Sequence, residues 1–202
     1  MAIRAFAALE LPVPVKEALS REIARLAREF PRDVKWPAPD TLHLTLKFFA
    51  SLPEERIEVV TRAIGDVRSQ FGPIGLALGR RGAFPSPSRP RVLWVGLDGD
   101  VERLRDLQAD FDRRLSEAGF PPEERPFAAH ITLGRIRPEA SAETTRRLAA
   151  LVQGALATGG PGQGQRFRVE ELTLFRSVLG SGGPIYTRLH TARLASGEAS
   201  GD

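Results

Sequence analysis

Apolar residues recur along this chain in two alternating rhythms. Ile3 to Leu9 is an almost unbroken apolar run, as in a strand buried on both faces. Val15 to Phe30 then places Leu19, Ile23, Leu26 and Phe30 at steps of four, three and four, the signature of an amphipathic helix. Leu42, Leu44, Leu46 and Phe48 alternate with His43, Thr45 and Lys47, which predicts a strand whose apolar face is buried and whose polar face is free. Val60, Ile64, Val67 and Phe71 repeat the helical steps, and Ile74 to Leu78 reads as another strand. The stretch Phe84-Pro85-Ser86-Pro87-Ser88-Arg89-Pro90 that follows is expected to be a junction between lobes or a loop lining a cleft.

The same order then begins again. Arg91 to Val95 predicts a strand, Leu104, Leu107, Phe111 and Leu115 mark one face of a helix, and a strand surrounds His130. His43 and His130 lie 87 residues apart, and the pairs Leu19/Leu107 and Ile23/Phe111 each lie 88 apart. This register predicts two similar lobes related by a pseudo-two-fold, although any alternating strand-helix chain can give such a coincidence. A helix is expected through Arg146 to Leu151, a flexible loop over Gly154 to Gln165, and two closing strands around Phe167 to Phe175 and Ile185 to Leu194. The expected organisation is one bilobal domain over residues 1–194 and a frayed tail over 195–202.

Composition narrows the chemistry. With 202 residues of which 42% are hydrophobic, the chain can bury a real core, and it has no apolar run long enough to span a membrane. The absence of cysteine excludes a disulfide framework, a thiol nucleophile and cysteine-ligated zinc, and fits a cytoplasmic location. A net charge of +4 favours an anionic partner, but the basic residues are interleaved with Glu and Asp, so charge alone does not identify RNA.

Two of the three histidines sit in the same context, His43-Leu44-Thr45-Leu46 and His130-Ile131-Thr132-Leu133. On a strand, positions i and i+2 face the same way, so each imidazole stands beside a threonine hydroxyl while Leu44 or Ile131 enters the core. Imidazole exchanges a proton near neutral pH, and the hydroxyl donates to a phosphate oxygen. Together the motifs supply a base, an acid and two oxygen clamps, the set that in-line attack on a phosphodiester needs. Either motif alone is more often a structural strand histidine; the pair reverses that balance. His190 has no threonine at i+2 and is read as structural. No metal-binding H-E-x-x-H, no G-x-S-x-G nucleophile elbow and no Walker loop is present, so metal, serine and P-loop chemistries lose support.

On these motifs the chain resembles the two-histidine (2H) phosphoesterases, and among them the RNA 2′,3′-cyclic phosphodiesterases also known as 2′-5′ RNA ligases. The resemblance extends to Arg4-x-Phe6 and onward to Pro12, LHLTLKFFA over 42–50, PRVLWVGL over 90–97, GFPPEERPFAAHITLGR over 119–135 and LFRSVLGSGGPIYTRL over 174–189. It implies an α+β bilobal fold with two antiparallel sheets and flanking helices around a central cleft, no cofactor, and hydrolysis of RNA 2′,3′-cyclic phosphate ends to 2′-phosphate. The implied partners are such RNA ends or cyclic nucleotides, acted on by a monomer. His43 and His130 would be catalytic, with His130 the water-activating base and His43 the acid by analogy, although the two motifs are nearly interchangeable. Thr45, Thr132 and Arg135 would bind phosphate. Arg135 shares parity with Ile131 and Leu133 and so should face away, unless a bulge near Gly134 turns it inward. Phe6, Trp36, Phe84 and Tyr186 are candidates for stacking a terminal base. Where relatives carry proline directly before the second histidine, this chain has Ala129. Reversible 2′-5′ joining of RNA ends, or non-catalytic binding of an RNA end, are the alternatives.

Overall fold

A computed structural model of the chain describes residues 1–158, 162–180 and 183–195. The elements run β1 (Ala2–Glu10), α1 (Val13–Glu29), β2 (Val34–Lys35), β3 (His43–Pro53), α2 (Ile57–Gln70), β4 (Ile74–Ser86), β5 (Arg89–Gly99), α3 (Val101–Glu117), β6 (His130–Ile136), α4 (Ala142–Thr158), β7 (Arg166–Val169), β8 (Glu171–Gly180) and β9 (Gly183–Arg193). They build an α+β fold of two antiparallel sheets, one in the order β3-β1-β8-β9 and the other β2-β6-β5-β4-β7. The predicted repeat of strand, helix and H-x-T strand is present as β1-α1-β3 and β5-α3-β6.

The sheets are interlaced. β4, from the first half of the chain, pairs with β5 of the second, and β8, from the second half, pairs with β1 of the first. The apolar run that predicts β1 is explained by this position. Ala5 to Leu9 are buried on both faces because the strand lies in the middle of its sheet. Helix α2 covers β8 and β9, α4 covers β4 and β5, and the two motif strands β3 and β6 touch each other where the sheets meet.

Two buried ion pairs join elements distant in sequence. Lys47 on β3 is 4% exposed; its ammonium pairs with Asp112 on α3 and donates to the Pro121 carbonyl at 2.9 Å. Glu22 on α1, 4% exposed, meets Arg81 on β4 at 2.9 Å and Arg25 at 2.8 Å. Breaking such a pair from one side leaves an uncompensated buried charge, at a typical cost of about 3–5 kcal/mol.

Several expectations are corrected. The proline-rich stretch is mostly strand: β4 and β5 pair as far as Ser86 and Arg89, with Pro85 opposite Pro90 near the tip, where a missing N–H is tolerated. Of the loop expected over Gly154 to Gln165, residues 154–158 continue α4, because Leu148, Val152 and Ala155 keep an apolar stripe that outweighs the poor helix propensity of Gly154. Residues 159–161 lie outside the described residues, and 162–164 form a turn. The strand expected from Phe167 to Phe175 is two strands that break at Glu170 and join different sheets, β7 against β4 and β8 against β1. Of the expected tail, Ala195 donates to the Arg68 carbonyl at 2.8 Å, and residues 196–202 lie outside the described residues.

Two glycines in elements give opposite predictions. A Cβ on Gly82 of β4 would stand 2.2 Å from the Trp94 indole, which lies flat over that strand, whereas a Cβ on Gly65 of α2 meets nothing within 4 Å. Gly82→Ala should destabilise by about 1–3 kcal/mol through overpacking, and Gly65→Ala should stabilise by about 0.5–1 kcal/mol. Urea denaturation of both variants checks the signs; equal effects would contradict the packing of Trp94.

Candidate active site

The local structure at the two motifs is the same in each lobe. Over His43–Phe49 and His130–Ile136 the order of half-buried, buried and exposed residues is identical, and each strand bulges three residues after its histidine. Thr45 pairs with Ala8 and Lys47 with Ala7, which leaves Leu46 as the extra residue; Thr132 pairs with Trp94 and Gly134 with Leu93, which leaves Leu133. A bulge inverts the alternation beyond it. Lys47 and Gly134 therefore turn into the interior, while Phe48 and Arg135 turn to the side of the histidines. Phe48, predicted on the buried face, is 42% exposed for this reason. Gly134 is needed at its bulge because a Cβ there would come within 2.7 Å of Val34 and 2.9 Å of Trp36.

His43, Thr45, His130 and Thr132 line one cleft of about 1020 Å³ between the sheets. The backbone sets both imidazoles in one tautomer. Nδ1 of His43 lies 2.6 Å from the Thr41 carbonyl, and Nδ1 of His130 lies 2.7 Å from the Ala128 carbonyl. A carbonyl only accepts, so Nδ1 carries the hydrogen and Nε2 is left free for proton exchange in the cleft. The second anchor is a main-chain oxygen, which alanine supplies as well as any residue. Neither threonine hydroxyl has a partner among the described residues, so both are free to donate to a ligand.

Each ring is also held by aromatic neighbours. Phe6 stacks on His43 at 4.5 Å and Tyr186 meets it edge-on at 5.6 Å, while Phe84 and Trp94 meet His130 edge-on at 5.0 and 6.3 Å. This apolar surround disfavours the charged imidazolium. Burial pushes His43 down to about 4, with Lys16, His130 and Arg135 adding to the effect and the Thr41 hydrogen bond opposing it. Burial likewise lowers His130, and Arg135 adds to it. Both rings are thus neutral in the empty cleft at neutral pH. Glu10, opposite His43 in the β1–β3 ladder, is engaged elsewhere: Arg188 at 2.5 Å and Thr173 at 2.8 Å hold its carboxylate below the usual range. Among the described residues no cluster of three or more metal-ligating side chains occurs.

The remaining predicted residues divide. Arg135 reaches the cleft, through the bulge that sequence alternation alone would miss. Trp36 and Tyr186 line the same cleft, with Trp36 Nε1 donating to the Phe30 carbonyl at 3.1 Å. Phe84 lines a second cavity of about 710 Å³ on the far side of His130. Phe6 is corrected as a stacking platform: its faces lie against His43 and Phe175, it is 3% exposed, and it can only support the histidine. His190 lines neither cavity. Arg4, on the cleft wall with its guanidinium 4.4 Å above the Phe48 ring, was missed as a site residue because nothing in its sequence context distinguishes it from other arginines.

Comparison with known proteins agrees with this geometry. A family model described as LigT like phosphoesterase matches residues 9–94 and again 95–186, once for each H-x-T strand. The RNA 2′,3′-cyclic phosphodiesterase of Methanothermobacter thermautotrophicus is 33% identical over 194 residues, covering 96% of this chain and 100% of the relative. The crystal structure of TT0787 of Thermus thermophilus superposes with a TM-score of 0.78 at 29% identity, covering 95% of this chain and 98% of the other. Escherichia coli LigT complexed with 3′-AMP superposes with a TM-score of 0.73 at 25% identity, covering 97% and 100%. With one motif strand in each of two matched repeats, the chain belongs to the LigT-like phosphoesterases, a two-histidine family.

Proposed function

We propose that the chain hydrolyses the 2′,3′-cyclic phosphate end of RNA to a 2′-phosphate. The observation that carries this reading is the pair of backbone-anchored imidazoles whose free Nε2 atoms share one cleft with two unpartnered threonine hydroxyls. Thr45, Thr132 and Arg135 hold the non-bridging oxygens. His130 Nε2 takes a proton from water as its oxygen bonds to phosphorus, the bond from phosphorus to O3′ breaks, and His43 Nε2–H delivers a proton to O3′. Every group in the sequence of steps belongs to the protein, so no cofactor is invoked. One chain supplies both H-x-T strands, which makes a monomer sufficient, and a substrate made of RNA suits the cytoplasm. The names of the relatives and the 3′-AMP complex of LigT support a nucleotide phosphate as the ligand.

One observation favours a second reaction. The cavity beside His130 measures about 710 Å³, whereas a water's share of liquid volume is about 30 Å³. A 5′-hydroxyl of another RNA end fits where water attacks, and its attack gives a 2′-5′ junction by the same proton transfers.

Three outcomes test this reading. His43→Ala and His130→Ala should each lower kcat by about 10²–10⁴-fold, and the double variant should lose far less than the product of the two, because the pair acts in one transition state. Near-normal turnover by either variant removes the mechanism.

The pH profile has a definite sign. With both imidazoles titrating below 6.5 in the free protein, the state with one neutral and one protonated ring is most populated below pH 6.5, so kcat/KM should peak there. A bound phosphate anion favours the imidazolium, so the kcat optimum should lie at higher pH. A kcat/KM maximum above pH 7 would contradict the burial of the rings.

Hydrolysis of 2′,3′-cyclic AMP in EDTA should continue undiminished and give 2′-AMP, separated from 3′-AMP by chromatography. Predominant 3′-AMP would reverse the substrate's orientation, and loss of activity in EDTA restored by a divalent ion would replace the mechanism.

A further inference from the structure

The cleft that holds the histidines is lined by cations with no acid among them. Among the described residues six of the eleven helix arginines form ion pairs, for example Arg62 with Glu58, Arg105 with Glu102, Arg113 with Asp110 and Glu117, and Arg147 with Glu29. The large cleft is lined by Arg4, Lys35, Arg135 and Arg137 with no aspartate or glutamate among its lining residues. Among the described residues Arg4, Lys35 and Arg135 have no carboxylate partner, and Arg137 has only Glu139 at 4.0 Å. The cavity beside His130 mixes the signs, with Glu123 among Lys47, Arg91 and Arg125.

These cations line both walls. Arg4 projects from β1 in the four-stranded sheet, braced on Phe48. Lys35 lies opposite Arg135 in the β2–β6 ladder of the other sheet, and Arg137 follows two residues later, a rise of about 6.6 Å along the chain, comparable to the step between successive phosphates. Tyr186 stands between the walls, within the electrostatic reach of both Arg4 and Arg135. One phosphate at the histidines is already met by two threonines and Arg135. Three further cations in the same cleft exceed what that single anion needs.

We propose that Arg4, Lys35 and Arg137 form a subsite for the phosphates on the 5′ side of the terminal nucleotide, so that the protein recognises the end of a strand. This rests on the reading of the histidine cleft as a cyclic-phosphate site. The shared chemistry is a second phosphate one nucleotide from the first. It has two sources, the internal phosphodiester of an RNA strand and the 5′-phosphate of a mononucleotide, and the strand is the one argued here because the cations are spread over both walls of the cleft and not gathered at one point. All three side chains are exposed, so their replacement leaves the core untouched.

The test compares 2′,3′-cyclic AMP, its 5′-phosphorylated form, and di- and trinucleotides ending in the cyclic phosphate. The wild-type kcat/KM should rise about tenfold or more when the second phosphate is added. The log–log salt dependence should steepen by about 0.7 for each phosphate engaged. Combining Arg4→Gln, Lys35→Gln and Arg137→Gln should bring the ratio of dinucleotide to cyclic AMP close to one, while Arg62→Gln, on α2, should leave it unchanged. A wild-type ratio near one, a ratio that survives the triple change, or an equal loss in Arg62→Gln overturns the subsite. A gain with the 5′-phosphorylated mononucleotide and none with the dinucleotide overturns the strand in favour of a mononucleotide phosphate. If the wild type opens no cyclic phosphate, the catalytic reading fails by itself. The subsite is then decided by equilibrium titration with 2′-AMP and with its 5′-phosphorylated form, where the same tenfold gap, lost in the triple variant, is expected.

Discussion

Backbone pairing between the halves is the constraint on which the rest of the molecule depends. Each half completes its sheet with a strand of the other, β8 beside β1 and β4 beside β5, so the two halves of the chain cannot come apart without breaking a ladder inside each sheet. The buried pair of Lys47 with Asp112 crosses the same divide. The cleft opens where the two sheets meet, and there β3 and β6, one from each sheet, touch each other. Each of these strands carries one histidine, so the two rings face one cleft from different sheets, the arrangement that acid and base on opposite faces of one phosphorus require.

The price of that placement is electrostatic. Rings that pack against Phe6 and Tyr186, or against Phe84 and Trp94, are poorly solvated, and both resist protonation. Between pH 6.5 and about 4 the unfolded chain would take up a proton that folded His43 refuses, so His43 contributes stability that is present above pH 6.5 and declines as the pH falls through that window. A phosphate in the cleft reverses the local preference, because an anion beside the rings favours the imidazolium. The substrate thus brings part of the charge state that its own reaction needs, and the aromatic walls suppress that state when the cleft is empty.

Much of this was legible in the sequence, and for physical reasons. The period-two alternation around His43 and His130 placed each histidine beside its threonine, and the near-equal spacing of motifs and helices disclosed the repeat. What was not legible required knowledge of partners in space. Leu46 and Leu133 look like ordinary members of an alternating strand; only the pairing with β1 and β5 shows that each is surplus, which is why Phe48 was expected inside. Phe6 reads as a ring available to a base until Phe175, distant in sequence, is seen on its other face. The strand break at Glu170 is invisible to hydrophobicity because β7 and β8 both carry buried apolar residues, Phe167 and Val169 in one sheet and Leu172 and Leu174 in the other.

The exchange of strands between repeats also bears on descent. In each repeat one strand, β4 or β8, joins the sheet built on the other repeat, so a chain holding a single repeat would need a second copy to complete its sheet, as in a two-fold dimer in which each copy lends that strand to the other. Joining two copies in one chain keeps the architecture while freeing the copies to diverge. The divergence is visible immediately after the bulges, where one copy carries Phe48 and the other Arg135. A homodimer could offer only matching walls to an inherently lopsided ligand; the fused chain can give one wall a ring and the other a guanidinium.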